Sequence, residues 1–367
     1  MYRITVIGGG NGAFAVSSDL ALQGHEVTLL EMPAFEAGID AIRQRGGIVL
    51  QSLPSSSRPS GFAPLKRVTT DPAEGLASVE VVFVVVPAYA QRIMAEFCAP
   101  YLREEQTVCL MPGNLYGSIE FLRTLRRCGN THVRAIAEAE CLIYTATRKE
   151  AEVGIRGFKR GLGLGVFPSR LTADVTPILT AIYPDLRVRQ NVLATGASNP
   201  NVLLHVPLVL LNFANIERGL DILSYHQAFT QGVADLVAAM DAERMQLARN
   251  GFADLISISK MVQAWYSAQG ARGDTIYDIM TTNPLYVKSK LPTKKEHRYF
   301  TEDIPYGICP MSELLEVCGL SNRLFSATAD LAGAAWGQDF RKKARTLESL
   351  GLALGTNDIL SYIAEGE

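Results

Sequence analysis

Ile4-Thr5-Val6-Ile7-Gly8-Gly9-Gly10-Asn11-Gly12-Ala13-Phe14-Ala15 opens the chain with an apolar, β-rich run, a glycine turn and the first residues of a helix that continues through Leu22. Strand, glycine turn and helix in that order are the setting a dinucleotide fingerprint requires. Gly8 permits the tight turn, and Gly10 lets the backbone approach a pyrophosphate. Ala13 stands where a small residue allows the helix to pack closely on the strand. Asn11 and Gly12 complete the turn, and the helix N-terminus offers backbone N–H groups to the phosphate charge. An ordinary strand-to-helix turn has similar composition, so the residues that follow have to decide between the two.

They support the fingerprint. His25 to Leu30 reads as a second strand and ends at Glu31, about where a ribose-binding acid is expected. A carboxylate there accepts hydrogen bonds from an adenosine ribose and repels a 2′-phosphate, which favours NAD over NADP. Met32 to Phe35 include no arginine, and the nearest one downstream is Arg43. Val79 to Val86 is a continuous apolar run of the kind buried in parallel sheets, stopped by Pro87. Pro87 is therefore expected at the cofactor crevice, since ligands of open α/β sheets sit at the carboxyl ends of the strands. Thr107 to Met111 and Val133 to Ala137 are further strands, the second leading into Glu138-Ala139-Glu140. Phe35 to Arg45 and Thr172 to Ile182 have helical spacing. Ser52 to Pro64 reads as an exposed loop, Thr145 to Arg170 as basic and glycine-rich segments with hairpin-like strands at Gly157 to Lys159 and Gly161 to Gly165, and Leu186 to Val188 as a closing strand.

Beyond Gln190 strand patterns become scarce. Val202 to Ile216, Gln227 to Arg249, Ile256 to Ala268, Met311 to Cys318, Ser321 to Trp336 and Phe340 to Leu350 carry helical apolar spacing. The expected fold class is α/β: an N-terminal Rossmann dinucleotide-binding domain over 1–190, followed by a mainly α-helical C-terminal domain over 191–367 that carries substrate and catalysis.

Composition narrows the function. Thirty-five Lys plus Arg face 37 Asp plus Glu, a net charge of −2, so no bulk positive field draws nucleic acid or an anionic membrane. The six cysteines form no CxxC and no metal-ligand spacing, and most lie in apolar runs, as buried thiols of a reducing compartment do. The first strand begins within a few residues of Met1, and the densest apolar runs are shorter than a membrane span. A cytoplasmic protein is expected.

Two stretches of the second half carry polar groups suited to chemistry. Asn199-Pro200-Asn201-Val202-Leu203-Leu204-His205-Val206-Pro207 places an imidazole inside an apolar run. Taken alone, that is either a core histidine bonded to a carbonyl or a proton donor. His297 to Gly307 sets a cation, Arg298, and two carboxylates, Glu302 and Asp303, in what reads as a loop between helices. Glu243-Arg244 and Lys342-Lys343 read as solvated helix faces, and Trp265 and Tyr266 as core.

Together with the glycine turn and Pro87-Ala88, these stretches resemble the octopine/nopaline (opine) dehydrogenase family over nearly the whole chain. Asn212 to Glu217, Glu302-Asp303-Ile304-Pro305-Tyr306-Gly307 and Arg345-Thr346-Leu347-Glu348-Ser349-Leu350-Gly351-Leu352 add to the match. The resemblance implies NAD(P)H-dependent reductive condensation of a 2-oxo acid, such as pyruvate, with the amino group of an amino acid through an imine. It implies that His205 and Asp303 form the catalytic pair and that Arg298 binds a substrate carboxylate. Asn199 and Glu138 are expected at the substrate, although family members usually follow that glutamate with Thr or Ser and here Ala139 stands there.

Two other functions remain open at this point. One is a simple 2-oxo acid reductase of the ketopantoate reductase or glycerol-3-phosphate dehydrogenase type, which relies on a catalytic lysine. The other is a sensor that binds NAD(H) without turnover. Partners are expected to be small molecules, with the apolar C-terminal helices as a homodimer face.

Overall fold

The sheet at the N-terminal end is built around its first strand, β1 (Arg3–Ile7), which is flanked on both sides by parallel partners. The structure, a computed structural model, describes residues 1–252 and 254–366. It divides into two compact units, residues 1–113 with 117–188, and residues 114–116 with 189 onward.

In the first unit, β1 leads through α1 (Asn11–Leu22) to β2 (Glu26–Leu30). Then come α2 (Asp40–Arg45), β3 (Gly47–Ser52), β4 (Gly61–Pro64), β5 (Arg67–Thr69), α3 (Pro72–Gly75), β6 (Val81–Val84), α4 (Gln91–Cys98) and β7 (Thr107–Leu110). The unit closes with α5 (Gly117–Arg127), β8 (Ile136–Ala139), β9 (Tyr144–Lys149), β10 (Glu152–Phe158), β11 (Gly163–Phe167), α6 (Thr172–Ile182) and β12 (Arg187–Val188). The main sheet runs β12-β11-β8-β7-β6-β1-β2-β5. From β8 to β5 every pairing is parallel, and only β11 joins antiparallel to β8. This is the Rossmann strand order, with its switch point between β1 and β6. All four residues of β6 are buried, as a run of valines and phenylalanine with no polar alternation requires when both faces are covered.

A second sheet, β4-β3-β10-β9, was only partly foreseen. The stretches 157–159 and 161–165 do not pair as a hairpin: the first lies at the end of β10 in this sheet, and the second leads into β11 in the main sheet. The stretch 52–64 is not all loop, because Gly61–Pro64 pairs with β3. Isolated, that strand has too few apolar residues to be read as one; its partner supplies the backbone bonds. Asp19 of α1, fully buried, accepts hydrogen bonds from Arg58 at 2.9 and 2.5 Å and from Tyr144 of β9 at 2.5 Å, and so ties the second sheet to α1.

The second unit contains the helices α7 (Val192–Ala197), α8 (Pro200–Leu211), α9 (Phe213–Glu217), α10 (Gln231–Arg244), α11 (Ile258–Tyr266), α12 (Ile276–Thr282) and α13 (Arg298–Thr301). It ends with α14 (Cys309–Val317), α15 (Arg323–Trp336) and α16 (Thr356–Glu365). Trp265 and Tyr266 are core residues, as expected.

Three expectations are corrected here. Residues 340–350 do not form a helix beyond a short 3-10 turn at Arg341–Lys343. Ala344 turns extended and Arg345 is buried, its backbone N–H bonded to the Pro305 carbonyl at 3.0 Å; a tertiary bond thus replaces the helical one. Glu243 and Arg244 are not a solvated face. Glu243 accepts from Ser321 Oγ and the backbone of Leu324 and Phe325 at 2.9 to 3.1 Å, capping α15. Arg244, 1% exposed, pairs with Asp241 at 2.7 Å and donates to the Ala197 and Ile256 carbonyls. Finally, residues 297–307 are not a loop but the short helix α13 followed by a π-type turn at Ile304–Ile308. Among the described residues, no helix is long and apolar enough to cross a membrane.

Candidate active site

Gly8 takes φ +125°, and a Cβ there would stand 2.5 Å from the Val85 carbonyl oxygen, so only glycine passes the switch point between β1 and β6. Gly12 is the next tight position, where a Cβ would meet Leu142 and Val85 at 2.9 Å. A Cβ on Gly10 would meet nothing within 4 Å. The protein itself therefore leaves open space beside this backbone, in keeping with the close approach of a pyrophosphate. Gly10 is also the N-cap of α1, no side chain caps that helix, and no acid occupies its first turn. The N–H groups are left for an anion. Ala13 is fully buried against the sheet.

Beside this turn lies a cavity of about 460 Å³ lined by Gly8, Gly10, Glu31, Pro87, Tyr89 and Arg148, among others. Glu31 is 7% exposed, and its Oε1 accepts the Met32 N–H at 2.7 Å. Burial raises its pKa, against backbone bonds from Met32 and Gly9 and the positive charge of Arg148. Asn11 is turned to the protein, its Oδ1 accepting the Arg148 N–H at 3.0 Å. An open backbone cradle, an uncapped helix N-terminus and an acid at the end of β2 fit a dinucleotide. Arg148 also lines this cavity, a placement no local sequence signal marks because the residue arrives from β9 and not from the segment after β2.

In the second unit, α8 starts at Asn199, whose Oδ1 accepts the Asn201 N–H at 3.1 Å. Its Nδ2 donates to Asn114 Oδ1, so both ends of this buried amide are engaged. One and a half turns on, His205 Nδ1 lies 2.8 Å from Asp303 Oδ2, with side chains 13% and 5% exposed. The carboxylate is held at the junction of α13 and the π-type turn: its backbone N–H bonds the Arg298 carbonyl at 3.2 Å, and its carbonyl accepts from Ile308 at 2.9 Å. The structure thus brings together two residues 98 positions apart.

Tyr299, which belongs to the stretch carrying the family resemblance but has no role assigned from the sequence, stacks its ring on His205 with centroids 3.7 Å apart and planes 19° from parallel. His297 meets the Tyr299 ring edge-on, with centroids 4.5 Å apart. Its Nδ1 caps α13 by accepting the Tyr299 N–H at 3.3 Å, and burial beside His205 and Arg298 holds its pKa down to about 4. The available signal was spacing: Tyr299 and Asp303 are four apart, the distance that puts two side chains on one helical face. Arg298, half exposed, pairs with the buried Glu302 at 2.9 Å. Glu138 lies in the first unit, fully buried, where it accepts the Ser118 N–H at 3.1 Å at the start of α5; Glu140 is equally buried.

A Rossmann unit with a vacant-of-side-chain phosphate cradle, joined in one chain to a helical unit bearing a carboxylate-anchored histidine, defines a nicotinamide-dependent dehydrogenase. Residues 188–336 match the family model described as NAD/NADP octopine/nopaline dehydrogenase, alpha-helical domain. The opine dehydrogenase of Arthrobacter sp. is 31% identical over 350 residues, 95% of this chain and 94% of that one. Vitopine synthase of Allorhizobium ampelinum is 23% identical over 96% of each chain. Octopine dehydrogenase structures with NADH and L-arginine and with NADH and pyruvate share the fold, at TM-scores of 0.79 and 0.77 and 20% identity over 100% of this chain and 98% of theirs. The chain belongs to the opine dehydrogenase family. It is an NAD(P)-dependent oxidoreductase acting on CH–NH donors.

Proposed function

We propose that His205 is the proton-transferring residue of an opine dehydrogenase that joins a 2-oxo acid, pyruvate being the first candidate, to the amino group of an amino acid. The observation carrying this is the 2.8 Å contact of His205 Nδ1 with Asp303 Oδ2. With Nδ1–H bonded to the carboxylate, Nε2 is the nitrogen left for substrate, and the tautomer is set.

Addition of the amine to the oxo acid gives a carbinolamine, which must lose hydroxide as water to become an imine. His205 gives the proton that leaves with that hydroxyl; Asp303 stabilises the imidazolium before transfer and keeps the remaining proton of the neutral ring on Nδ1 afterwards. The stacked Tyr299 ring keeps the imidazole plane in place. Arg298, oriented by Glu302, receives a substrate carboxylate with its planar fork. Gly10 and the α1 N-terminus would hold the pyrophosphate, Pro87 borders the same cavity, and Glu31 would take the adenosine ribose. The bound nicotinamide cofactor, NAD(H) by preference, supplies the hydride that reduces the imine carbon.

The same reading makes residues 1–190 the cofactor domain and 191–367 the substrate domain. Five of the six free thiols are buried, in keeping with a reducing cytoplasm, and Leu331 at 60% exposed on α15 suits a homodimer face. NADH oxidation is followed with pyruvate, glyoxylate or 2-oxoglutarate, with and without a panel of amino acids. Oxidation that needs both substrates is expected. Oxidation with the oxo acid alone would replace this reading by simple 2-oxo acid reduction.

A further inference from the structure

Arg148 stands on β9, in the second sheet of the first unit, yet it lines the same cavity as Glu31. Three contacts fix it. Its backbone N–H donates to Asn11 Oδ1 at 3.0 Å, and its guanidinium carbon lies 4.6 Å from the centre of the Phe14 ring. Its Nη1 donates to the Gly38 carbonyl at 3.3 Å. Asn11 and Phe14 belong to the first turn of α1, and Gly38 ends the 3-10 turn that follows β2. The cation is therefore held where the end of β2 and the start of α1 come together. Among the described residues its guanidinium forms no ion pair, and the bond to Gly38 commits one of its several N–H donors.

In dinucleotide folds this corner decides between the two nicotinamide cofactors. An acid at the end of the second strand bonds the ribose hydroxyls and repels a 2′-phosphate, and a nearby arginine accommodates that phosphate. This chain has both. The Glu31 carboxylate is buried, held by the backbone of Met32 and Gly9, and packed so closely on the turn that a Cβ on Gly9 would meet its Oε2 at 2.5 Å. Arg43, the arginine nearest in sequence, is instead paired with Glu36 and Asp40 at 2.9 and 2.7 Å.

We propose that Arg148 is a latent ligand for the 2′-phosphate of NADP(H), and that the Glu31 carboxylate alone keeps the cavity selective for NAD(H). The inference rests on the cavity being the dinucleotide site. It predicts that removing one negative charge opens the site to the phosphorylated cofactor, with no arginine added.

The test is equilibrium binding to the full chain by calorimetry, with NADH, NADPH, adenosine 5′-monophosphate and adenosine 2′,5′-bisphosphate as probes. Glu31→Ser should shift the NADPH-to-NADH affinity ratio by about 10–100-fold toward NADPH, the factor a charge-assisted phosphate contact supplies. Adding Arg148→Met should return most of that gain, while Arg148→Lys, a point charge without the fork, should keep part of it. The bisphosphate should follow NADPH across the series. Should Glu31→Ser gain nothing, or should the Glu31→Ser/Arg148→Met protein bind the bisphosphate as tightly as Glu31→Ser alone, Arg148 is not the ligand. Thermal melts of each variant separate loss of fold from loss of contact, and Arg148→Lys covers the case in which Met loosens β9 from α1. Failure of the unsubstituted chain to bind NADH would overturn the cofactor site itself, a result the first titration tells apart.

Discussion

Replacing Asp303 by Asn removes one charge at nearly constant shape and isolates what the carboxylate does for His205. The bond is 2.8 Å long, and Asp303 is 5% exposed, so water cannot take over the role cheaply. A hydrogen bond to an ionised partner contributes about 1.5–3 kcal/mol, which converts to roughly 10–150-fold in rate if it is realised only when the imidazole is charged. Asparagine can also turn its amide N–H toward Nδ1. That selects the opposite tautomer and puts the proton on Nε2 in the state that has to accept one, extending the loss toward the 10²–10⁴-fold that general acid–base catalysis supplies. The expected result for Asp303→Asn is therefore a fall in kcat of about 10²–10⁴-fold, with NADH affinity within about twofold of the unsubstituted protein. The glycine turn and Asp303 belong to different units. The assay combines steady-state NADH oxidation with both substrates, a fluorescence titration of NADH and a thermal melt. A folded Asp303→Asn protein whose kcat stays within about threefold would refute the assignment of the pair to catalysis.

Three further outcomes are expected. Gly10→Ala adds a methyl group where no protein atom lies within 4 Å, at a φ of −87° that alanine accepts, so Tm should hold while NADH affinity falls about tenfold or more; unchanged affinity would mean that no ligand occupies this space. Glu243→Ala strips three bonds from the start of α15 and leaves buried donors unpaired, which should cost about 2–4 kcal/mol in urea unfolding; a loss below about 0.5 kcal/mol would contradict the capping role. His297 has a folded pKa of about 4 against an ordinary 6.5, so the unfolded chain binds the proton first. Its contribution is fully present above pH 6.5 and is lost as pH falls toward 4, by about 1–2 kcal/mol after allowance for solvent. His297→Asn keeps an N-cap acceptor, and its stability measured at pH 7 and pH 5 should differ less than that of the unsubstituted chain; an equal difference at both would dispose of this account.

What could be read from the sequence was what local physics determines. The run from Ile4 through the glycine turn to Glu31 names its own strand, turn, helix, strand and acid, because apolar period and glycine placement within some thirty residues decide those elements. Thr172–Ile182 and the spacing of α10, α11 and α15 were legible for the same reason. His205 and Asp303 stood out through a family resemblance, since nothing in either stretch says which carboxylate meets which imidazole.

Tertiary structure alone decided the rest, wherever a partner distant in sequence outweighs the local pattern. Residues 340–350 have helical spacing, but the Pro305 carbonyl takes the N–H of Arg345 and the side chain is buried. Glu243 and Arg244 have the composition of a wet helix face, yet the ends of other helices supply the bonds that make their burial affordable. Tyr299 reaches His205 because α13 and α8 pack together, and Arg148 reaches the Glu31 cavity because β9 packs on α1. Local sequence encodes the period of an element. It does not encode which other element will satisfy a charge, and in this protein those charges make up both the candidate proton relay and the proposed discrimination between cofactors.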